Sequence, residues 1–72
     1  MSKYKKGDHV KIEVVDRSGE SEWMWLLVDN SDDERRIVFG KLDQQPVVNT
    51  DMRLGQELAV SYDKIRDHRR FA

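Results

Sequence analysis

In Val10-Lys11-Ile12-Glu13-Val14 apolar and charged residues alternate, which sends Val10, Ile12 and Val14 to one face of an extended strand and Lys11 and Glu13 to the other. Gly7-Asp8 opens this strand with turn chemistry, and Asp16-Arg17-Ser18-Gly19-Glu20 closes it with more, so a hairpin is expected. Its second arm breaks the alternation. In Glu22-Trp23-Met24-Trp25-Leu26-Leu27-Val28 one face holds Trp23, Trp25 and Leu27, and the other Met24, Leu26 and Val28. A strand that is apolar on both faces lies centrally in a small β fold, or curls so that one face fills a core and something else covers the other.

The polar run Asp29-Asn30-Ser31-Asp32-Asp33-Glu34 reads as an exposed turn, because Asx side chains bond their own backbone. A third strand follows over Arg35-Arg36-Ile37-Val38-Phe39-Gly40-Lys41-Leu42, with Gly40 marking a bulge or a close contact with an aromatic ring. Asp43-Gln44-Gln45-Pro46 ends it, and the connection over 43–51 is expected to cross one end of a barrel. Leu54-Gly55-Gln56-Glu57-Leu58-Ala59-Val60 repeats the spacing of Lys6-Gly7-Asp8-His9-Val10-Lys11-Ile12, so a glycine again opens a strand. Ser61 is placed to cap a single 3-10 turn, after which Ile65 returns to the core.

Together these elements predict an all-β fold: a small SH3-like barrel or a strongly bent antiparallel sheet of four to five strands, with one 3-10 turn near the C-terminus. The expected core is Ile12, Trp25, Leu27, Phe39, Leu42, Leu58, Val60 and Ile65. Residues 1–72 form one domain, with 1–6 and 68–72 as flexible tails. A chain of 72 residues buries only roughly 60–65% of the surface its unfolded state exposes, so the core has to be economical. With no cysteine, neither a disulfide framework nor a Cys-ligated metal site can staple it. The 13 basic and 14 acidic residues nearly cancel, which removes any whole-molecule pull toward a polyanion. The basic start is followed by no apolar run of signal or membrane-span length, which points to a cytoplasmic protein of bacterial type.

Several segments taken together resemble the DUF2314 family of small bacterial domains of unknown function. They are Ser21-Glu22-Trp23-Met24-Trp25-Leu26-Leu27-Val28, Gly40-Lys41-Leu42-Asp43-Gln44-Gln45-Pro46, Leu54-Gly55-Gln56-Glu57-Leu58-Ala59-Val60 and Ile65-Arg66-Asp67. The resemblance spans roughly residues 7–67 and implies a compact β-rich domain. Two departures stand out: Trp23 lies where the family often has His, and Asp43-Gln44-Gln45 lies where an Asn-containing turn is common. The family brings no established activity, so function has to be read from sites.

Catalytic chemistry has little to draw on. His9 and His68 are the two histidines, and a nucleophile would have to come from Ser18, Ser21, Ser31 or Ser61, with no motif pairing them; no enzyme is expected. The acidic run 29–34 offers oxygen ligands but lacks the spacing of a calcium loop, so it reads as a solvated turn; no metal or cofactor is expected. The leading expectation is a protein partner, met through Trp23, Met24, Val47, Val48 and Tyr62, with the chain a monomer or homodimer and no membrane partner. The alternative is weak nucleic-acid binding through Lys3, Tyr4, Lys5, Lys6, Lys11, Arg69, Arg70 and Phe71, basic and aromatic residues near the two termini.

Overall fold

The computed structural model describes residues 3–15, 18–47 and 52–70. Within them five strands alternate with turns: β1 (His9–Val15), β2 (Ser21–Asp32), β3 (Ile37–Leu42), β4 (Glu57–Ser61) and β5 (Ile65–Arg69), with a 3-10 turn (Tyr62–Lys64) joining the last two. All pairings are antiparallel, and the sheet runs in the order β4-β3-β2-β1-β5. The last strand, β5, therefore lies alongside the first, β1. The fold is all-β, as the alternation predicted. It is one bent sheet whose edges do not join into a closed barrel.

Among the described residues no helix or second sheet packs on this one; its buried face is covered by its own bend and by Tyr4, Met52 and Tyr62 from outside the strands. That face carries Val10, Ile12, Met24, Leu26, Val28, Val38 and Leu42, each at 0–1% exposure, joined by Tyr4 and Tyr62. Val14, Met52, Leu58, Val60 and Ile65 pack against them. Ile12 and Leu42 are core as the sequence predicts, and Leu58, Val60 and Ile65 border it. Trp25, Leu27 and Phe39 are not: they lie on the opposite face of the sheet. The cause is hairpin register. In the β1–β2 ladder Ile12 faces Met24 and Val10 faces Leu26, while Lys11 faces Trp25 and His9 faces Leu27. The single apolar set of β1 selects which apolar set of β2 goes inside, because a one-residue slip would exchange the two faces.

β2 also continues through residues read from the sequence as a turn. A bulge at Asp29 shifts the ladder between Val28 and Asn30, after which Asn30, Ser31 and Asp32 pair with Phe39, Val38 and Ile37. The turn itself occupies 33–36. Asp32 Oδ1 accepts from the backbone N–H groups of Glu34 (3.0 Å) and Arg35 (3.1 Å), and Arg36 takes the left-handed conformation, φ 59°, so β3 starts at Ile37. Gly40 stands opposite Val28 beside the bulge, and a Cβ there would collide with the Leu27 carbonyl oxygen and lie 3.0 Å from Leu26 Cγ. The close neighbour is strand backbone rather than an aromatic ring. Ser61 caps the 3-10 turn as expected, accepting from Asp63 N–H at 3.2 Å.

Residues taken as tails are partly anchored. Positions 68 and 69 belong to β5, Tyr4 is buried, and the Lys3 N–H donates to Asp33 Oδ1 at 3.2 Å. Asp8 gathers the two ends. Its carboxylate, 2% exposed as a residue, accepts from Arg70 Nε and Nη2 (both 2.9 Å), from the Lys5 N–H (3.0 Å), and lies 2.8 Å from His68 Nε2. The fork from Arg70, outweighing the cost of burial, holds this carboxyl well below the usual carboxylate range. Above it, Tyr4 meets the edges of Tyr62 and His68 at ring-centroid distances of 4.8 Å, and the Tyr62 hydroxyl donates to Asp33 Oδ1 at 2.6 Å. Burial, then this hydrogen bond, raises the Tyr62 hydroxyl above its ordinary pKa, and the same bond lowers that of Asp33.

Candidate functional site

The outer face of the sheet is the feature the fold leaves over. Reading across the register, it carries Glu57 and Ala59 of β4, Phe39 and Lys41 of β3, Trp23, Trp25 and Leu27 of β2, His9, Lys11 and Glu13 of β1, then Asp67 and Arg69 of β5. Trp23 is 45% exposed and Phe39 39%. Two cations lie on the indoles. The Lys11 ammonium sits 5.5 Å from the Trp23 ring centre, and the Arg69 guanidinium, reaching across β1 from two strands away, sits 5.3 Å from that of Trp25. Such pairs contribute about 0.5–1 kcal/mol each when exposed, too little to account for two half-wet tryptophans.

Beside Trp25 the face dips into an open cleft of about 340 Å³ lined by His9, Trp25, Asp43, Gln44 and Arg69. Its wall forms where β3 ends and the chain turns away. Asp43 N–H still donates to the Trp25 carbonyl at 2.9 Å, and the Gln44 side chain then takes over the ladder, accepting from Trp25 N–H at 2.9 Å and donating to the Trp23 carbonyl at 3.5 Å. Val47 N–H donates to Glu22 Oε2 at 2.7 Å, tying the end of this segment to β2. Across the cleft His9 Nε2 lies 2.8 Å from Asp43 Oδ2.

The residues singled out from the sequence fall into three groups. Trp23 lies on the outer face, and Val47 is 81% exposed. Met24 and Tyr62, at 0% and 7% exposure, are core residues and offer no contact surface; register turns Met24 inward, and the 3-10 turn folds Tyr62 onto Tyr4. Val48 lies outside the described residues, as does Phe71. Of the basic set, Lys11 and Arg69 join the tryptophans. Arg70 is engaged by Asp8, and Tyr4, at 5% exposure, has no free ring face on which a base could stack. Lys3, Lys5 and Lys6 are exposed near the Asp8 end of the fold and are not part of the tryptophan face. Residues 3–8 and 68–70 do come together, but Asp8 neutralises the Arg70 cation that this brings in.

Each histidine has a carboxylate neighbour, Asp43 for His9 and Asp8 for His68. Two of the four serines weighed as nucleophiles are engaged elsewhere: Ser31 Oγ donates to the Tyr4 carbonyl at 2.6 Å and Ser61 Oγ caps the 3-10 turn. Among the described residues no group of three or more His, Asp or Glu is arranged to hold a metal ion. Among them, too, no helix is long and apolar enough to cross a membrane.

The sequence reading missed His9, Asp43, Gln44 and Phe39 as members of one surface. The signal was available for His9, since it shares the wet face of β1 with Lys11. It was absent for Asp43 and Gln44, whose position depends on where β3 leaves β2. No protein-family model, no curated protein and no solved structure significantly matches this chain.

Proposed function

We propose that the chain is a non-catalytic binding domain of the bacterial cytoplasm that presents the outer face of its sheet to another protein. One observation carries this reading: Trp23 and Phe39 stay exposed on one face with Trp25 and Leu27, and the core cluster of the described residues forms without them. Tryptophan, tyrosine and arginine anchors dominate protein interfaces because they combine large apolar area with a polar end. The charges around the tryptophans are mixed. Lys41 stands opposite Glu57 and Lys11 opposite Asp67, an arrangement that suits a protein surface better than a run of phosphates. The resemblance of the quoted segments to the DUF2314 family adds no activity to this reading.

A second reading keeps one observation in its favour. Lys11 on Trp23 and Arg69 on Trp25 form an alternating aromatic and cationic row, the arrangement on which single-stranded bases stack. Affinity capture from native lysate separates the two. The protein reading expects a partner that survives nuclease and is lost with the double variant Trp23→Ser/Phe39→Ser. Capture that disappears with nuclease, or that the double variant leaves intact, contradicts it.

A further inference from the structure

The cleft beside Trp25 has a preformed wall and a cation whose hydrogen-bonding capacity is unspent. Arg69 Nε is 3.8 Å from Asp67 Oδ2, close enough for attraction but beyond hydrogen-bonding reach. Among the described residues its guanidinium donates no hydrogen bond, and its side chain is 61% exposed. Asp67 Oδ1 is turned to the His68 N–H at 2.7 Å, and Asp43 is held by His9. Lys11, the neighbouring cation, forms no ion pair among the described residues. Gln44 has both ends of its amide committed to the backbone of β2, so it acts as wall and not as a ligand group.

We infer that this cleft receives a carboxylate-bearing apolar segment of the partner protein, an acidic side chain entering the fork of Arg69 while its apolar neighbour lies against Trp25. Arginine pairs with carboxylates through two parallel N–H bonds, which supplies direction as well as charge. A cleft of about 340 Å³ sits at the lower end of ligand-site volumes, room for one or two side chains. The chemistry favours an isolated carboxylate over a polyanion. Glu13, Asp43 and Asp67 surround the two cations on the same face, so a phosphate chain entering the fork would bring its next charges against them. One carboxylate on an apolar stretch meets the fork alone. The inference rests on the protein-binding reading of the outer face and specifies what part of the partner that face selects.

The test uses two blocked decapeptides with glycine and serine flanks, one centred on Leu-Ser-Phe-Glu-Leu and one with the acid replaced by lysine, together with a ten-nucleotide oligothymidylate. Each is titrated at low salt into the isotope-labelled full chain. The expected result is that the acidic peptide shifts the Trp25 indole and Arg69 Nε resonances. Arg69→Gln should weaken it at least fivefold, Lys11→Gln about twofold, and Lys64→Gln, on the 3-10 turn, should leave it unchanged. Equal shifts with the lysine peptide, no response to the acidic one, undiminished binding by folded Arg69→Gln, or a response to oligothymidylate alone each overturn the inference. The two readings fail separately. If nuclease-resistant capture still depends on Trp23 and Phe39 while the acidic peptide gives no shift, the cleft assignment is wrong and the protein-binding face stands; loss of that capture removes the face itself.

Discussion

Asp8→Asn is the substitution that most directly probes how this small sheet holds its ends together. The side chain keeps its shape but gives up the charge that Arg70 grips through two bonds of 2.9 Å and that His68 meets at 2.8 Å. Charge-assisted hydrogen bonds contribute roughly 1.5–3 kcal/mol each, and breaking a buried pair by removing one partner costs about 3–5 kcal/mol. Arg70 and His68 both reach solvent and can rehydrate, so the expected loss is lower, about 2–3 kcal/mol. Against a total stability of roughly 4–11 kcal/mol for a domain this size, that is a large fraction. pH provides the signature. Because the folded-state pKa of Asp8 is depressed, its contribution is fully present above the ordinary carboxylate value of 3.8 and is lost as pH falls from there toward the folded value. Urea unfolding followed by tryptophan fluorescence should give a difference between wild type and Asp8→Asn that is present at pH 5 and shrinks steadily as the pH falls toward 3. A difference below about 0.5 kcal/mol at pH 7, or one that does not change with pH, would refute the reasoning.

Three further outcomes follow from the same geometry. Gly40→Ala places a methyl group against the Leu27 carbonyl, which is strand backbone and cannot swing aside, so β2 and β3 have to part and unfolding by urea should show a loss of about 3 kcal/mol. Met24→Ala should cost about 2–5 kcal/mol by cavity formation, whereas Trp23→Ser, one residue along the same strand, should change stability by less than about 1 kcal/mol; similar losses at the two sites would contradict the assigned register. Iodide should quench Trp23 strongly, and the fluorescence remaining in Trp23→Phe, which reports Trp25 beneath Arg69 and beside Gln44, should be quenched less.

Much of the fold was legible because β1 alternates so cleanly. Val10, Ile12 and Val14 marked the strand and its buried face, Gly7 and Gly55 marked where β1 and β4 open, and Ser61 marked the 3-10 turn; β5 was hidden because Ile65-Arg66-Asp67-His68-Arg69 carries one apolar residue and no alternation. The buried face of β2 could not be read the same way. Trp23-Trp25-Leu27 and Met24-Leu26-Val28 are equally apolar, and the choice depends on the pairing of Val15 with Ser21 across a turn whose length the sequence leaves open. Once the tryptophans are taken for core, Phe39 follows them there by parity, and the surface that matters most is hidden. The Asp8 cluster was out of reach for a different reason: it joins residues about 60 positions apart, and a lone Asp beside a glycine carries no sign of the Arg and His that will meet it. Tyr4 looked free to stack because its burial depends on that same closure.

The direct test of the outer face is site-specific photo-crosslinking in native lysate. With a benzoylphenylalanine in place of Trp23 or Phe39, the account predicts a discrete protein adduct that resists nuclease, and no such adduct when the same group replaces Lys64 on the 3-10 turn. Adducts of equal yield at position 64, or adducts at 23 and 39 that vanish on nuclease treatment, would contradict it.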